Sequence, residues 1–168
     1  MPEEFPDPEG PDNLEEPPSF FPYDGEPDRV PGSMGELIEV QIEGIYQGDA
    51  PNGAVTRFVM VTDGERRLPI MIGGFEAHAI NTSLEGVRPD RPMTHDLLRN
   101  ILDRLDVAVD RVVIDDLWNE IYYAKIYLKS DEEMEIDCRP SDAIAMAVRF
   151  NAPIFVADGI LEASRDLE

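Results

Sequence analysis

Apolar residues occupy every second position at about residues 38–43, 68–72, 120–129 and 134–138, which is the pattern of half-buried β-strands. Three further apolar segments, at about 54–62, 107–115 and 153–156, are also predicted to be strands. Asp63-Gly64 follows the segment 54–62 and predicts a tight hairpin turn. Pro69 lies inside the segment 68–72 and cannot donate a ladder hydrogen bond, so we expect that strand at an edge or a bulge.

Helical spacing of apolar residues predicts helices between these strands. One helix is expected at residues 75–84, another at 141–150 with Ser141 as its N-cap, and a last helical turn at 158–164. A further helix is expected to start with Thr94 as its N-cap. It carries an apolar stripe at Leu98, Ile101, Leu102 and Leu105.

In chain order these elements read β-β-β-α-α-β-β-β-α-β, which indicates an α+β fold with mostly antiparallel sheets packed against helices. Residues 68–84 (LPIMIGGFEAHAINTSL) and 134–150 (MEIDCRPSDAIAMAVRF) each run from a strand through a turn into an alanine-rich helix. This internal repeat predicts duplicated β-β-β-α units that share one core. It also puts Glu76 and Asp142 at equivalent positions near helix starts.

The composition is that of one domain of ordinary size. The chain has 168 residues, 42% of them hydrophobic, and no apolar run near the ~20 residues that span a bilayer. Residues 1–33 are rich in proline and acidic residues and predict a disordered tail ahead of a domain at 34–168. Because that start is neither basic nor apolar, and Cys138 is the single cysteine, we expect a cytoplasmic protein that is not in a membrane.

Charge restricts the choice of partners. The formal net charge is −22, and residues 34–168 still hold 26 acidic against 13 basic residues. Such a surface repels nucleic acid at long range, unless a local basic groove exists. Two explanations stay open, solubility in a salty cytoplasm and a simple acidic bias of composition, and neither identifies a substrate.

The segment Thr94-His95-Asp96 is the first candidate for chemistry. His95 falls in a first helical turn, where the positive end of the helix dipole disfavours a protonated imidazole. A neutral imidazole there can act as a base or as a ligand. The residues alone favour a structural interpretation, in which His95 hydrogen-bonds the loop and Asp96 helps to cap the helix.

The second candidate is the segment 137–142, which contains Asp137, Arg139 and Asp142. Arg139 offers an always-charged fork suited to phosphate or carboxylate. The structural interpretation is an ion pair between Arg139 and a carboxylate that locks the turn between strand and helix. Glu76 has the same pair of interpretations, because an acidic residue at a helix start ordinarily compensates the dipole.

Several motifs match one family in order and spacing. The segments RLPIMIG (67–73), RPMTHDLL (91–98), DCRPSDAIA (137–145) and API (152–154), with Glu76-Ala77, resemble the bifunctional nuclease domain family. The resemblance covers about residues 34–161. It implies a fold of duplicated β-β-β-α units and a nuclease, a hydrolase that acts on phosphodiester bonds of RNA and DNA.

The resemblance also implies roles for the motif residues. His95, Asp142 and Glu76 are then the catalytic residues, and Arg139 and Arg91 bind the substrate. Because phosphodiester hydrolysis needs a base or a metal-bound water and a cation beside the phosphate, we expect Mg²⁺ or Mn²⁺ as a cofactor. Its predicted ligands are Asp96 and Asp137.

The alternative is a non-catalytic regulatory module that binds a ligand or a protein. Geometry separates the two hypotheses, since an enzyme needs these side chains in one solvent-open cleft. Small domains with exposed strand edges often pair them, so we also expect a homo-oligomer, most simply a dimer.

Overall fold

The computed structural model describes residues 34–49, 53–118, 121–130 and 134–165. The tail predicted at residues 1–33 lies outside the described residues, so its disorder and the boundary at 33 stay predictions. The strands are β1 (Leu37–Asp49), β2 (Val55–Thr62), β3 (Arg67–Ile72), β4 (Val109–Trp118), β5 (Ile121–Leu128), β6 (Met134–Cys138) and β7 (Ile154–Ala157). The helices are α1 (Gly74–Leu84), α2 (Thr94–Arg104), α3 (Pro140–Phe150) and α4 (Asp158–Arg165). The predicted order of elements is confirmed.

The strands form one sheet in the order β3-β2-β1-β7-β4-β5-β6. Every neighbouring pair is antiparallel except β4 and β7, which run parallel. The α+β class with mostly antiparallel pairing is therefore confirmed. None of the helices among the described residues is both long and apolar enough to cross a membrane.

The duplication is visible in the topology. On each side of β7, three consecutive strands follow outward in chain order, and a helix (α1 or α3) comes directly after the third. Since β1 runs antiparallel to β7 and β4 runs parallel to it, the two units point in opposite directions. The starts of α1 and α3 lie close together, since Arg139 before α3 donates a 3.0 Å hydrogen bond to Glu76 of α1.

The core lies between the sheet and the helices α1 and α3. Alternating residues of the strands point into it, among them Val59 and Val61 of β2 and Val112 and Ile114 of β4, all fully buried. Burial of each such side chain contributes roughly 1.5–3 kcal/mol. Pro69 pairs with Met60 on the outermost strand β3, which confirms the predicted edge position.

Both predicted helix caps are wrong by one or two residues. α2 has Met93 as its N-cap, and the Met93 N–H donates to the Asp96 carboxylate at 3.0 Å. α3 has Arg139 as its N-cap, followed by Pro140. Proline at the first helical position has a preset φ and no N–H to leave unsatisfied, so the helix starts there and Ser141 falls inside it.

The apolar stripe of α2 does not face the core as its spacing suggests. Leu98, Ile101 and Leu105 are 45%, 46% and 66% exposed, and within the stripe Leu102 alone packs against the core. In the first turn of α2, His95 is buried and contacts Asp142 of α3. The helix therefore presents an apolar face to solvent.

Candidate functional site

A solvent-open cleft of about 780 Å³ lies where the starts of α1, α2 and α3 meet strands β5 and β6. It is polar at one end and apolar along its walls. The polar side chains at its end are Glu76, His95, Arg139 and Asp142. Its size and its few convergent polar groups are those of a small-molecule or active site.

Arg139 links both carboxylates of the cleft. Its Nε donates to Asp142 Oδ2 at 2.8 Å, its Nη2 to Asp142 Oδ1 at 3.2 Å, and its Nη1 to Glu76 Oε1 at 3.0 Å. The structural interpretation of Arg139 as the partner of a turn carboxylate is thus confirmed. Its side chain is nevertheless 65% exposed, so the guanidinium also faces the solvent.

His95 reaches across the domain rather than to its own loop. Its Nε2 lies 2.9 Å from Asp142 Oδ1, so the hydrogen bond joins α2 to α3. The expectation that His95 bonds the loop is therefore wrong, because packing of α2 on α3 turns the imidazole inward. A carboxylate on one ring nitrogen fixes the orientation of the imidazole, as in a base held for proton transfer.

Asp142 is the common partner of the two cationic side chains of the cleft. Burial alone would raise the pKa of Asp142, but hydrogen bonds from Arg139 and His95 outweigh it and hold the pKa below its usual value. The same contacts, with Asp142 first and Glu76 after it, raise the pKa of Arg139. At neutral pH the cleft therefore contains a fixed carboxylate and a fixed guanidinium.

Cys138 lines the cleft but is not a nucleophile there. Burial, followed by the charges of Asp142 and Asp137, raises the pKa of its thiol to about 12. The thiolate is the reactive form of cysteine, so at neutral pH Cys138 acts as a small apolar wall residue.

Asp96 follows His95 in the chain but lies in a different environment. Its Oδ1 accepts a 2.7 Å hydrogen bond from Arg149 Nε, and Oδ2 accepts the Met93 N–H. It lines a separate cavity of about 530 Å³ on the other side of α2. The capping role of Asp96 is confirmed, and the structure does not bring it to His95 and Asp142.

Asp137 and Arg91 also lie outside the cleft. Ile136 and Cys138 line it from β6, so the strand alternation points Asp137 to the opposite face of the sheet, where it is exposed. Arg91 is exposed in the loop between α1 and α2 and does not line the cleft.

The side chains of the cleft do not fit a divalent cation in this arrangement. Glu76 and Asp142 both bind Arg139, and no group of three or more His, Cys, Asp or Glu side chains in the described segments is placed to hold a metal. The Mg²⁺ or Mn²⁺ cofactor, and the ligand roles of Asp96 and Asp137, therefore stay predictions.

Two kinds of functional residue were missed from the sequence. The apolar walls of the cleft, formed by Phe75, Leu98, Ile136 and Met146, look like ordinary core residues in a hydrophobicity pattern. Arg149 was missed because a basic residue in a last helical turn usually complements the dipole. Its side chain is instead 3% exposed.

Fold and site together define a duplicated α+β domain with a cleft at the meeting point of its two repeated helices. A family model described as the bifunctional nuclease domain matches residues 58–166, well over half of the chain. The chain belongs to the bifunctional nuclease domain family, and the resemblance of the sequence motifs is confirmed.

The chain is similar to proteins of bacteria and of plants. An uncharacterized protein of Mycobacterium tuberculosis is 37% identical over 123 residues, which are 73% of this chain and 73% of that protein. Bifunctional nuclease 1 of Oryza sativa subsp. japonica is 30% identical over 112 residues, and bifunctional nuclease 2 of Arabidopsis thaliana is 31% identical over 113 residues. In both plant cases the match is 64% of this chain and 33% of the relative, so the chain covers a third of their length.

Proposed function

We propose that this protein is a nuclease that hydrolyses phosphodiester bonds of RNA and DNA in the cleft at the starts of α1, α2 and α3. The observation that carries the proposal is the convergence of His95, Asp142, Arg139 and Glu76 in one open cleft, with contacts of 2.8–3.2 Å among them. They come from three helix starts that are far apart in the sequence. Membership of the bifunctional nuclease domain family supports the same reaction class.

In this mechanism Asp142 orients His95 and stabilises the imidazolium that forms when His95 takes a proton from the attacking water. The water oxygen then attacks phosphorus, the bond from phosphorus to the leaving oxygen breaks, and the leaving oxygen takes up a proton from solvent. The His95 imidazolium releases its proton to solvent and is neutral again. Arg139 faces the developing negative charge on the phosphate oxygens, where a fixed guanidinium stabilises the transition state. Glu76 holds the other side of the guanidinium, so Arg139 is positioned before substrate arrives.

One observation favours the alternative, a regulatory module that binds a ligand or a protein without catalysis. Arg139 is bound to two carboxylates, so with a neutral imidazole the four polar side chains carry one net negative charge. A phosphate must compete with those carboxylates for the guanidinium. The mostly apolar walls of the cleft also suit a small apolar ligand.

An assay of the purified full chain separates the two functions. Labelled single-stranded and duplex RNA and DNA are incubated with the protein in EDTA, in Mg²⁺ and in Mn²⁺, each at low and high salt. We expect cleavage of both RNA and DNA, with faster rates at high salt, because added salt screens the repulsion between the acidic surface and the phosphates. Absence of cleavage in every metal and salt condition would leave the binding module as the better hypothesis.

A further inference from the structure

The proposed hydrolysis uses only the polar end of the cleft. The walls beside it are apolar, formed mainly by Leu98, Ile126, Ile136 and Met146. None of these side chains can bind a phosphate, and apolar residues make up eight of the 13 that line the cleft. The apolar half therefore fits a flat, uncharged part of the substrate.

Phe75 stands at the mouth of this apolar half. It precedes Glu76 in the first turn of α1, it lines the cleft, and its side chain is 89% exposed. Binding of a ligand over an exposed aromatic ring of this kind is favourable, because it removes apolar surface from water. Phe75 and Arg139 line the same cleft, so an aromatic group stacked on Phe75 and a phosphate at Arg139 can belong to one nucleotide.

We infer that the cleft takes one unstacked nucleobase of a single-stranded nucleic acid, with Phe75 as the stacking surface and Arg139 at the neighbouring phosphate. The inference rests on the proposed nuclease function and names its substrate class. Stacking on an aromatic ring tolerates any base, which suits a cleft without hydrogen-bonding groups along its walls. In a duplex the base faces are covered by their neighbours, so a double strand would first have to open.

The charge of the protein restricts how a nucleic-acid strand can bind. With a net charge of −22, contacts with many phosphates contribute little to binding. Affinity must then come largely from contacts with the bases. We therefore expect binding of single strands to depend on Phe75 by the same factor at low and high salt, since stacking releases no counterions.

A binding experiment tests the inference without cleavage. Fluorescence anisotropy is measured with a labelled single-stranded RNA whose phosphorothioate linkages resist hydrolysis, and with the matching duplex, on the full chain, on Phe75→Ala and on Phe75→Trp. Met71→Ala is the matched control, because Met71 is an apolar residue that is 75% exposed on β3 and does not line the cleft. Thermal unfolding and light scattering are recorded on the same preparations.

We expect single strands to bind more tightly than the duplex, and Phe75→Ala to weaken their binding about 5- to 150-fold, the equivalent of ~1–3 kcal/mol per stacked base. Phe75→Trp should bind at least as tightly as the wild type, and Met71→Ala should be unchanged. Wild-type affinity in folded Phe75→Ala, a preference for duplex, or no measurable binding of single strands overturns the inference. A loss of oligomer mass in Phe75→Ala without a change in binding shows that a second copy covers the ring instead.

The inference and the proposed nuclease activity can fail separately. Cleavage by the wild type together with normal binding by Phe75→Ala contradicts the stacking surface but leaves the nuclease intact. Phe75-dependent binding of single strands without cleavage in any metal contradicts the nuclease but retains the site for a single strand.

Discussion

Asp142 makes the contacts expected from both hypotheses that the sequence left open, the structural one and the catalytic one. It is the carboxylate that pairs with Arg139 at the turn before α3, and it is also the carboxylate that orients His95. Both contacts favour the ionised form, so Asp142 remains a carboxylate below the usual pKa of an aspartic acid. A single side chain thus contributes to the local fold and to the proposed chemistry.

Substitution of the two central residues tests the catalytic roles. We expect His95→Ala and Asp142→Asn each to lower nuclease activity at least tenfold, because general base catalysis and fixed charge contribute roughly 10²–10⁴-fold. The measurement is the initial rate of oligonucleotide cleavage, with thermal unfolding of each variant beside it.

The chain offers matched controls for both substitutions. His78 is the other histidine of the chain, and it is exposed on α1. Asp90 is exposed in the loop before α2. His78→Ala and Asp90→Asn should keep wild-type activity. Activity that falls only in step with a lowered melting temperature would assign His95 and Asp142 a purely structural role.

Asp63, in the turn after β2, makes the stability of the fold depend on pH in acid. It accepts hydrogen bonds from the backbone N–H groups of Glu65 and Arg66 and from the Arg66 side chain. These contacts, with the Arg66 backbone bond first, lower the pKa of Asp63 from 3.8 to about 2. The ionised form therefore stabilises the folded state above about pH 4, and this contribution is lost as pH falls from about 4 to 2.

We expect Asp63→Asn to lower the free energy of unfolding at pH 7 by up to about 2 kcal/mol, the equivalent of the pKa shift. The variant should also lose less stability than the wild type between pH 4 and pH 2. Urea unfolding at several pH values measures both effects, and equal pH dependence in the two proteins would contradict the assigned role of Asp63.

Among the elements, α3 holds the site together. It provides Asp142 at its start and Arg149 at its end, and Arg149 bonds Asp96 of α2 and the Ala79 carbonyl of α1. The first turn of α2 is thereby fixed, and with it the position of His95. The helix was predicted from its spacing, but its burial on nearly every side was not, since an amphipathic stripe indicates one buried face.

Removal of the buried Arg149 guanidinium should therefore destabilise the whole fold and not only one local contact. We expect Arg149→Met to destabilise the fold by roughly 3 kcal/mol, because the charge of Asp96 loses its partner and the Ala79 carbonyl loses a donor. Arg88→Ala, which removes an exposed arginine from the loop after α1, should change stability by less than about 0.5 kcal/mol. Chemical unfolding compares the two, and equal effects would show that the Arg149 contacts contribute little.

At the scale of the whole molecule, two features have opposite effects on self-association: exposed apolar surface and a strongly negative net charge. β3 and β6 end the described sheet with open edges, and the apolar face of α2 is covered by nothing in the described chain. Open edges and apolar faces favour self-association, whereas the net charge of −22 opposes it.

The homo-oligomer predicted from the sequence stays a prediction, and this balance makes it depend on salt. We expect a dimer at micromolar concentration, with a fraction that rises as added salt screens the charge repulsion. Ile101→Glu on the exposed face of α2 should shift the mass toward the monomer, whereas Glu85→Gln, on an exposed residue after α1, should not. Multi-angle light scattering that gives a monomer mass at every salt concentration would exclude the dimer.

Local patterns determined the elements of this protein. Alternation, helical spacing and the internal repeat predicted the order of strands and helices, the edge position of β3 and the equivalence of Glu76 and Asp142, because each depends on residues close in the sequence. The N-caps predicted for α2 and α3 were wrong by one or two residues, since several neighbouring residues can start a helix equally well.

Tertiary structure decided what the site contains. His95 and Asp96 are adjacent in the chain, yet the first faces Asp142 and the second faces Arg149, because successive helical residues point in directions about 100° apart. The apolar spacing of α2 likewise marks a face without revealing what covers it. Which helix starts meet, and which side chains they bring within hydrogen-bond distance, depends on contacts between parts of the chain that are distant in the sequence. The pairing of β7 with β1 of one repeated unit and with β4 of the other is such a contact.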